Sequence, residues 1–298
     1  MRRSRFASLT FALLAFLFAA PAADARMRHG RARQSAPQSG HAERSVTRTG
    51  PDGSSRTSTH DTTWQRGDGQ WSRDTVHTGP GGKQATTHVE AAKTEDGHVR
   101  DVTRTGPDGK TATTHDELHR TDGGYTRETT HTGSNGGVTT RNATGSYDKE
   151  SKTFNKEVTK TNPDGSTATT QVTGQRTEDG YTKTTTHTGP QGGVTTRSDT
   201  GSYDPATKTF THDATTTRPD GSTATSHGER TRTENGFQQT TTHAGPQGTT
   251  TVEGQGTWDP ASKTWTRETV VTRPDGTSAK TAVTTKVTPD APQPAPTE

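Results

Sequence analysis

The chain has 298 residues, of which 21% are hydrophobic, and it carries 36 Lys and Arg against 33 Asp and Glu. It contains no cysteine, which excludes disulfides, thiolate metal sites and cysteine nucleophiles. The near balance of charge after residue 43 predicts no nucleic-acid partner, because phosphate binding needs a basic stripe.

The first 25 residues have the order of a secretory signal. Arg2, Arg3 and Arg5 precede an apolar run over residues 6–20, and Ala23-Asp24-Ala25 supplies a small-residue cleavage site. The run is short for a transmembrane helix, so we predict a mature chain that does not span the membrane. The expected location is secreted or periplasmic, with residues 26–43 forming a basic disordered leader.

Five Pro-Asp-Gly tripeptides divide the rest of the chain into repeats. They begin at Pro51, Pro107, Pro163, Pro219 and Pro274, which defines modules 51–106, 107–162, 163–218 and 219–273 and a partial module 274–288. Each full module contains four turn signals, about one every 14 residues. Residues 289–298 are rich in proline and are predicted to form a disordered tail.

Threonine dominates the segments between the turns, and it favours strands while tolerating water. Residues 44–288 therefore predict an all-β fold, an elongated antiparallel meander of about sixteen short strands with four strands per module. Apolar residues are too scarce for a conventional core, which leaves a four-strand-per-blade propeller or a largely disordered chain as alternatives. Thr, Lys and Glu on both faces of the strands argue against an outer-membrane barrel.

Aromatic residues recur at two positions of the repeat. One position follows a short turn, and the other consists of two aromatics that flank a turn and are predicted to pair across strands. The flanking residues Tyr147, Tyr203 and Trp258 are candidate glycan contacts, because aromatic faces stack on sugars. Tyr147-Asp148 and Tyr203-Asp204 resemble YD repeats of secreted bacterial proteins, but over two residues per module this assigns no family.

No catalytic, cofactor-binding or metal-binding motif is found in the sequence. Histidine repeats at His77, His131, His187 and His243, and hairpin arithmetic sets His60 opposite His77, a pair to be weighed as a metal site. Thr-Ala-Thr triplets recur in equivalent strands and raise a role in ice binding. We expect neither enzyme activity nor a cofactor.

These observations predict an exported, non-enzymatic repeat protein with a structural or adhesive role at the cell envelope or outside the cell. Its partner would be an envelope or extracellular polymer or protein. A glycan-binding module that uses Tyr147, Tyr203 and Trp258 is the alternative.

Overall fold

A computed structural model describes residues 39–289 as eighteen β-strands. The predicted signal peptide, residues 26–38 of the leader and the tail from residue 290 lie outside the described residues. Residues 39–43, assigned to the leader, instead belong to the first strand, and Pro289 ends the last. The strands are β1 Ser39–Thr49, β2 Ser55–Gly67, β3 Gln70–Thr78, β4 Gln84–Lys93, β5 Gly97–Thr105, β6 Thr111–Thr121, β7 Gly124–Thr132, β8 Val138–Asp148, β9 Thr153–Thr161, β10 Thr167–Arg176, β11 Gly180–Thr188, β12 Val194–Asp204, β13 Thr209–Thr217, β14 Thr223–Arg232, β15 Gly236–Gly245, β16 Gly248–Asp259, β17 Thr264–Thr272 and β18 Ser278–Pro289.

The strands close into a barrel. Every strand pairs antiparallel with its successor, and β1 also pairs with β18 over 40–49 and 280–289. The all-β meander with four strands per module is confirmed, whereas the open, elongated sheet and the propeller are wrong, and disorder does not describe residues 39–289. Two strands beyond the predicted sixteen arise because β1 precedes the first Pro-Asp-Gly and β18 follows the last.

The Pro-Asp-Gly turns have the predicted chemistry. Gly165 lies at φ 81°, a left-handed conformation that glycine adopts without strain. The Asp164 carboxylate accepts hydrogen bonds from the amide and the hydroxyl of Ser166 at 2.9 and 2.6 Å. One turn was misplaced: Asp179-Gly180 is not a two-residue loop, because Thr177 donates to the carbonyl of Gly180 and Gly180 begins β11.

These turn aspartates predict an acid-dependent loss of stability. The hydrogen bonds from Ser166 hold the pKa of Asp164 below its usual value, and hydroxyls at the same position lower the pKa of Asp52, Asp220 and Asp275. A lowered folded-state pKa adds stability above the ordinary value of about 3.9, and that stability is lost as the pH falls through the lowered one. We expect the melting temperature to fall below about pH 4.

The control for this acid effect comes from the chain itself. Asp108 is followed by Lys110, which has no hydroxyl and offers only its amide at 3.2 Å. Ser166→Ala should weaken the acid dependence of thermal melting, and Lys110→Ala should leave it unchanged. An identical pH profile for Ser166→Ala and the wild type would contradict the assignment.

The registers set the width of the barrel. Following cross-strand partners once around the ring returns to β1 displaced by 20 residues. Eighteen strands with this stagger tilt by about 40° and enclose a backbone diameter of about 36 Å. Luminal side chains narrow this to an opening of about 20 Å.

Burial identifies the face of the sheet that lines the lumen. All the buried side chains lie on one face, where side chains converge inside the ring: Val46, Ser58, Val89, Val102, Asp116, Ala143, Val158, Ala168, Asp199, Ala214, Ser226 and Phe237. No buried side chain in residues 39–286 lies on the other face.

The hand of the barrel gives the same orientation. Strands coil right-handed about the barrel axis, so the 20-residue advance places β2 to the left of an upward β1 seen from outside. The amide of Gly50 donates to the carbonyl of Ser54 at 2.9 Å, which directs the backbone bonds of even-numbered β1 residues toward β2. In a strand of L-residues, such positions point away from the outside viewer. Arg44, Val46 and Arg48 therefore face the lumen.

Candidate functional site in the barrel lumen

Charge is divided between the two faces of the barrel wall. Two carboxylates, Asp116 and Asp199, face the lumen within the strands, together with nineteen cationic side chains. The luminal cations are Arg44, Arg48, Arg56, Arg66, Arg73, Lys93, Arg100, Arg104, Arg120, Arg127, Arg141, Lys156, Lys160, Arg176, Lys183, Arg197, Arg230, Arg232 and Arg267. The near-neutral total therefore conceals a strongly basic interior.

The outward face has the opposite charge. Among its strand positions, threonine is the commonest residue, and two cations, Lys280 and Lys286, accompany fifteen carboxylates. These are Glu43, Asp61, Asp74, Glu90, Asp101, Glu117, Glu128, Asp148, Glu157, Asp204, Asp213, Glu229, Glu253, Asp259 and Glu268. The wall thus separates an acidic exterior from a basic lumen.

The two luminal carboxylates neutralise only part of this charge. Asp116 accepts from Nε and Nη2 of Arg127 at 2.6 and 2.8 Å and from Thr129 at 2.7 Å. Asp199 lies 2.8 Å from Arg197 and 3.3 Å from Lys183, and His212 approaches it at 3.1 Å. In the described part of the chain, three of the nineteen luminal cations thus have a carboxylate partner.

Replacing Asp116 should cost stability. Asp116→Asn leaves Arg127 without its anionic partner, although that side chain is 43% exposed and water compensates in part. We expect a loss of about 2 kcal/mol in the free energy of unfolding, measured by urea denaturation. The outward Asp101→Asn is the control and should change it by less than about 0.5 kcal/mol. Equal losses in the two variants would contradict a structural role for the luminal pair.

Several of the remaining guanidinium groups are incompletely bonded. The Nε atoms of Arg73, Arg100 and Arg267 are buried and have no hydrogen-bond partner within residues 39–289. A buried donor without a partner is costly, and a charged one more so. A basic lumen of this kind has the charge and the free donors to bind anions.

The aromatic residues line the lumen at one mouth only. Tyr147 pairs with Phe154, Tyr203 with Phe210 and Trp258 with Trp265, as the sequence predicted. All lie at the mouth opposite the Pro-Asp-Gly turns. Tyr147, Tyr203 and Trp258 are 42%, 45% and 37% exposed, so the structure places the candidate glycan contacts together on an accessible surface.

An arginine accompanies the other set of aromatics at this mouth. Across each short hairpin, an arginine and an aromatic are direct cross-strand partners in all four modules: Arg66 and Trp71, Arg120 and Tyr125, Arg176 and Tyr181, and Arg232 and Phe237. We call these four pairs, with Tyr147, Tyr203 and Trp258, the aromatic mouth.

Luminal glycines make room for these rings. A Cβ on Gly145 would lie 2.2 Å from the ring of Tyr125, and one on Gly174 would lie 2.3 Å from that of Phe154. The rings therefore lie flat along the wall over neighbouring glycines, which covers the bare backbone and keeps the mouth open.

The repeated histidines do not form a metal centre. His77 Nδ1 lies 3.1 Å from His60 Nε2, which confirms their predicted pairing, but His131 and His187 instead contact Thr114 and Thr170 at 3.0 Å. Within residues 39–289, no group of three or more His, Cys, Asp or Glu is placed to hold a metal ion. The Thr-Ala-Thr triplets put their threonines outward on β6, β10 and β14, four strands apart, so ice binding stays a prediction.

Comparison with known proteins assigns no family. No family model matches the chain, and no curated protein matches it. The barrel is similar to porins. A mutant of the Rh. blastica porin superposes with a TM-score of 0.48 at 8% identity, covering 84% of this chain and 99% of the porin, and the low-pH structure of Pseudomonas putida OprB gives 0.46 at 6% identity, covering 84% and 92%. Both scores are below 0.5, so the assignment of a barrel rests on the strand registers.

Two sequence-based conclusions require correction. The chain was predicted not to span a membrane, but the closed ring of strands and its likeness to porins overturn that prediction, since a barrel without unpaired edges is the β-structure that enters bilayers. The absence of a basic surface was inferred from net charge, and the charged lumen overturns it. No helix within residues 39–289 has the length and hydropathy to cross a bilayer.

Proposed function

We propose that this chain is an exported, non-enzymatic barrel of the cell envelope whose lumen takes up anionic solutes. The observation that carries the proposal is the charge division across the wall, with nineteen cations and two carboxylates facing the lumen. A cavity lined by one sign of charge focuses the field and concentrates counter-ions. Eighteen strands leave an aqueous lumen wide enough to admit small solutes.

The structural or adhesive role predicted from the repeats stays a prediction. Such a role would use the outward face, whose threonines and carboxylates form a solvated surface of like charge. The luminal cations would then have no ligand, which makes adhesion the less economical explanation of the charge division.

Anion uptake is tested by binding of a small sulfonated dye to the mature protein, residues 26–298. We expect fluorescence anisotropy to report binding that weakens at least about tenfold between about 50 and 300 mM salt, because screening reduces the luminal field. An uncharged dye of the same size should not bind. Equal binding of the two dyes, or no binding of the anion, would contradict the proposal.

Variants locate the binding within the barrel. Replacing the luminal pair Arg100 and Arg104 with glutamine should weaken binding of the sulfonated dye by about tenfold, since two cations leave the site. Replacing the outward Lys280 and Lys286 with glutamine is the matched control and should leave binding unchanged. A larger effect of the outward pair would place the anion site outside the lumen.

Passage through the lumen is measured separately. In planar lipid bilayers, an open barrel with this lining should give a current whose reversal potential in a KCl gradient lies on the chloride side. A cation-selective current would contradict the luminal assignment of the arginines, because fixed positive charge excludes cations from the opening.

A further inference from the structure

We infer that the anionic solute is a linear glycan carrying carboxylate or sulfate groups, which enters by the aromatic mouth. This inference rests on the proposed function and assigns its ligand class. It combines two features that differ in position: aromatic rings confined to one mouth, and cations distributed along the whole lumen.

The aromatic mouth has the chemistry of a sugar platform. Tyr147, Tyr203 and Trp258 present partly exposed rings to the lumen, and these rings offer an apolar face with a polar edge. Sugar rings have apolar C–H faces that stack on such side chains, while their hydroxyls bond to the phenol and indole groups. The positions recur every 56 residues or nearly so, so one chain contacts several platforms in turn.

The arginines supply recognition of the charged groups. Fifteen of the nineteen luminal cations are arginine, and its planar fork matches a carboxylate or sulfate in bidentate geometry better than lysine does. Four of these arginines lie directly opposite mouth aromatics, which places a stacking surface beside an anion-binding group. Deeper in the lumen, the partnerless Nε atoms of Arg73, Arg100 and Arg267 continue the series.

The confinement of the aromatics favours a glycan over a nucleic acid. Sites for single-stranded nucleic acid interleave aromatic platforms with cations along the track, so that successive bases stack. Here no Phe, Tyr or Trp lines the described lumen beyond the aromatic mouth, and the deeper wall carries cations, histidines and small side chains. A charged glycan needs stacking at entry and ionic contacts beyond it.

The test compares labelled oligomers of equal length: oligogalacturonate, neutral dextran, and oligo-deoxythymidine. We expect the mature protein to bind oligogalacturonate more tightly than either of the others, with an affinity that falls with salt. Tighter binding of the oligodeoxythymidine would overturn the inference in favour of a nucleic acid. Equal binding of dextran would overturn the role of the arginines.

Variants at the mouth separate stacking from fold. Tyr203→Ala should weaken oligogalacturonate binding by about tenfold and leave binding of the small sulfonated dye unchanged. Tyr203→Phe should retain oligogalacturonate binding, and the outward Ser202→Ala is the matched control. Far-UV circular dichroism checks the fold. If Tyr203→Ala unfolds the barrel, Tyr203→Leu provides the same comparison with the apolar area retained.

The outcomes distinguish the two proposals. Dye binding without oligogalacturonate binding, or unchanged oligogalacturonate binding in a folded Tyr203→Ala or Tyr203→Leu variant, would overturn the glycan assignment and leave anion uptake standing. Loss of both ligands would overturn both.

Discussion

A chain that ends at Thr277, and so lacks β18, is expected not to form the monomeric barrel. In the intact chain, β18 pairs with β1 over ten residues and with β17 over nine. Its removal leaves both neighbours with unpaired backbone donors and acceptors along a full strand. Open edges of this length pair with other chains, and few buried apolar side chains are present to hold the curved sheet without closure.

Size-exclusion chromatography with light scattering should therefore report oligomers or aggregate for the truncated chain, with loss of the cooperative thermal transition. Deletion of residues 290–298 alone is the control and should leave a monomer with the wild-type melting temperature. A truncated chain that stayed monomeric with full β signal would show that closure by β18 is dispensable.

Gly180→Ala is expected to destabilise the barrel by more than about 3 kcal/mol. A Cβ on Gly180 would lie 1.8 Å from the carbonyl oxygen of Gly201 on the next strand, a backbone atom that cannot move without shifting the pairing of β11 with β12. Gly97, Gly124 and Gly236 occupy equivalent strand starts, with corresponding distances of 1.6, 2.1 and 1.7 Å.

The control for Gly180→Ala is Gly165→Ala in the neighbouring Pro-Asp-Gly turn. Gly165 has a positive φ but open space around its Cα, so alanine costs only the conformational penalty of about 1–2 kcal/mol. Urea denaturation should rank the two substitutions in this order. A smaller loss for Gly180→Ala than for Gly165→Ala would show that the strand start relaxes easily.

The local structure of this chain could be predicted because its turns carry their own chemistry. Proline sets one corner of each Pro-Asp-Gly turn, aspartate bonds to the residue two positions on, and glycine takes the left-handed conformation. These are contacts between residues close in sequence. The aromatic pairs Tyr203–Phe210 and Trp258–Trp265 were predictable for the same reason, since a turn of known length fixes the register beside it.

Closure was not predictable from the same signals. Whether β1 meets β18 depends on twist and stagger summed over the whole ring, and no single turn encodes that sum. The charge division, in contrast, is written in the sequence as alternation: Arg100, Asp101 and Val102 point in, out and in. Net charge hid it, and a count of charges by strand parity would have revealed the basic lumen without coordinates.

The four-strand module has a consequence for girth. Each module contributes four strands to the circumference together with its own share of the stagger, while β1 and β18 complete the ring. Duplication or loss of one 56-residue unit would therefore preserve every local pairing and change only the calibre, by about 8 Å in backbone diameter. In this architecture, the number of repeats in the gene sets the size of what can enter.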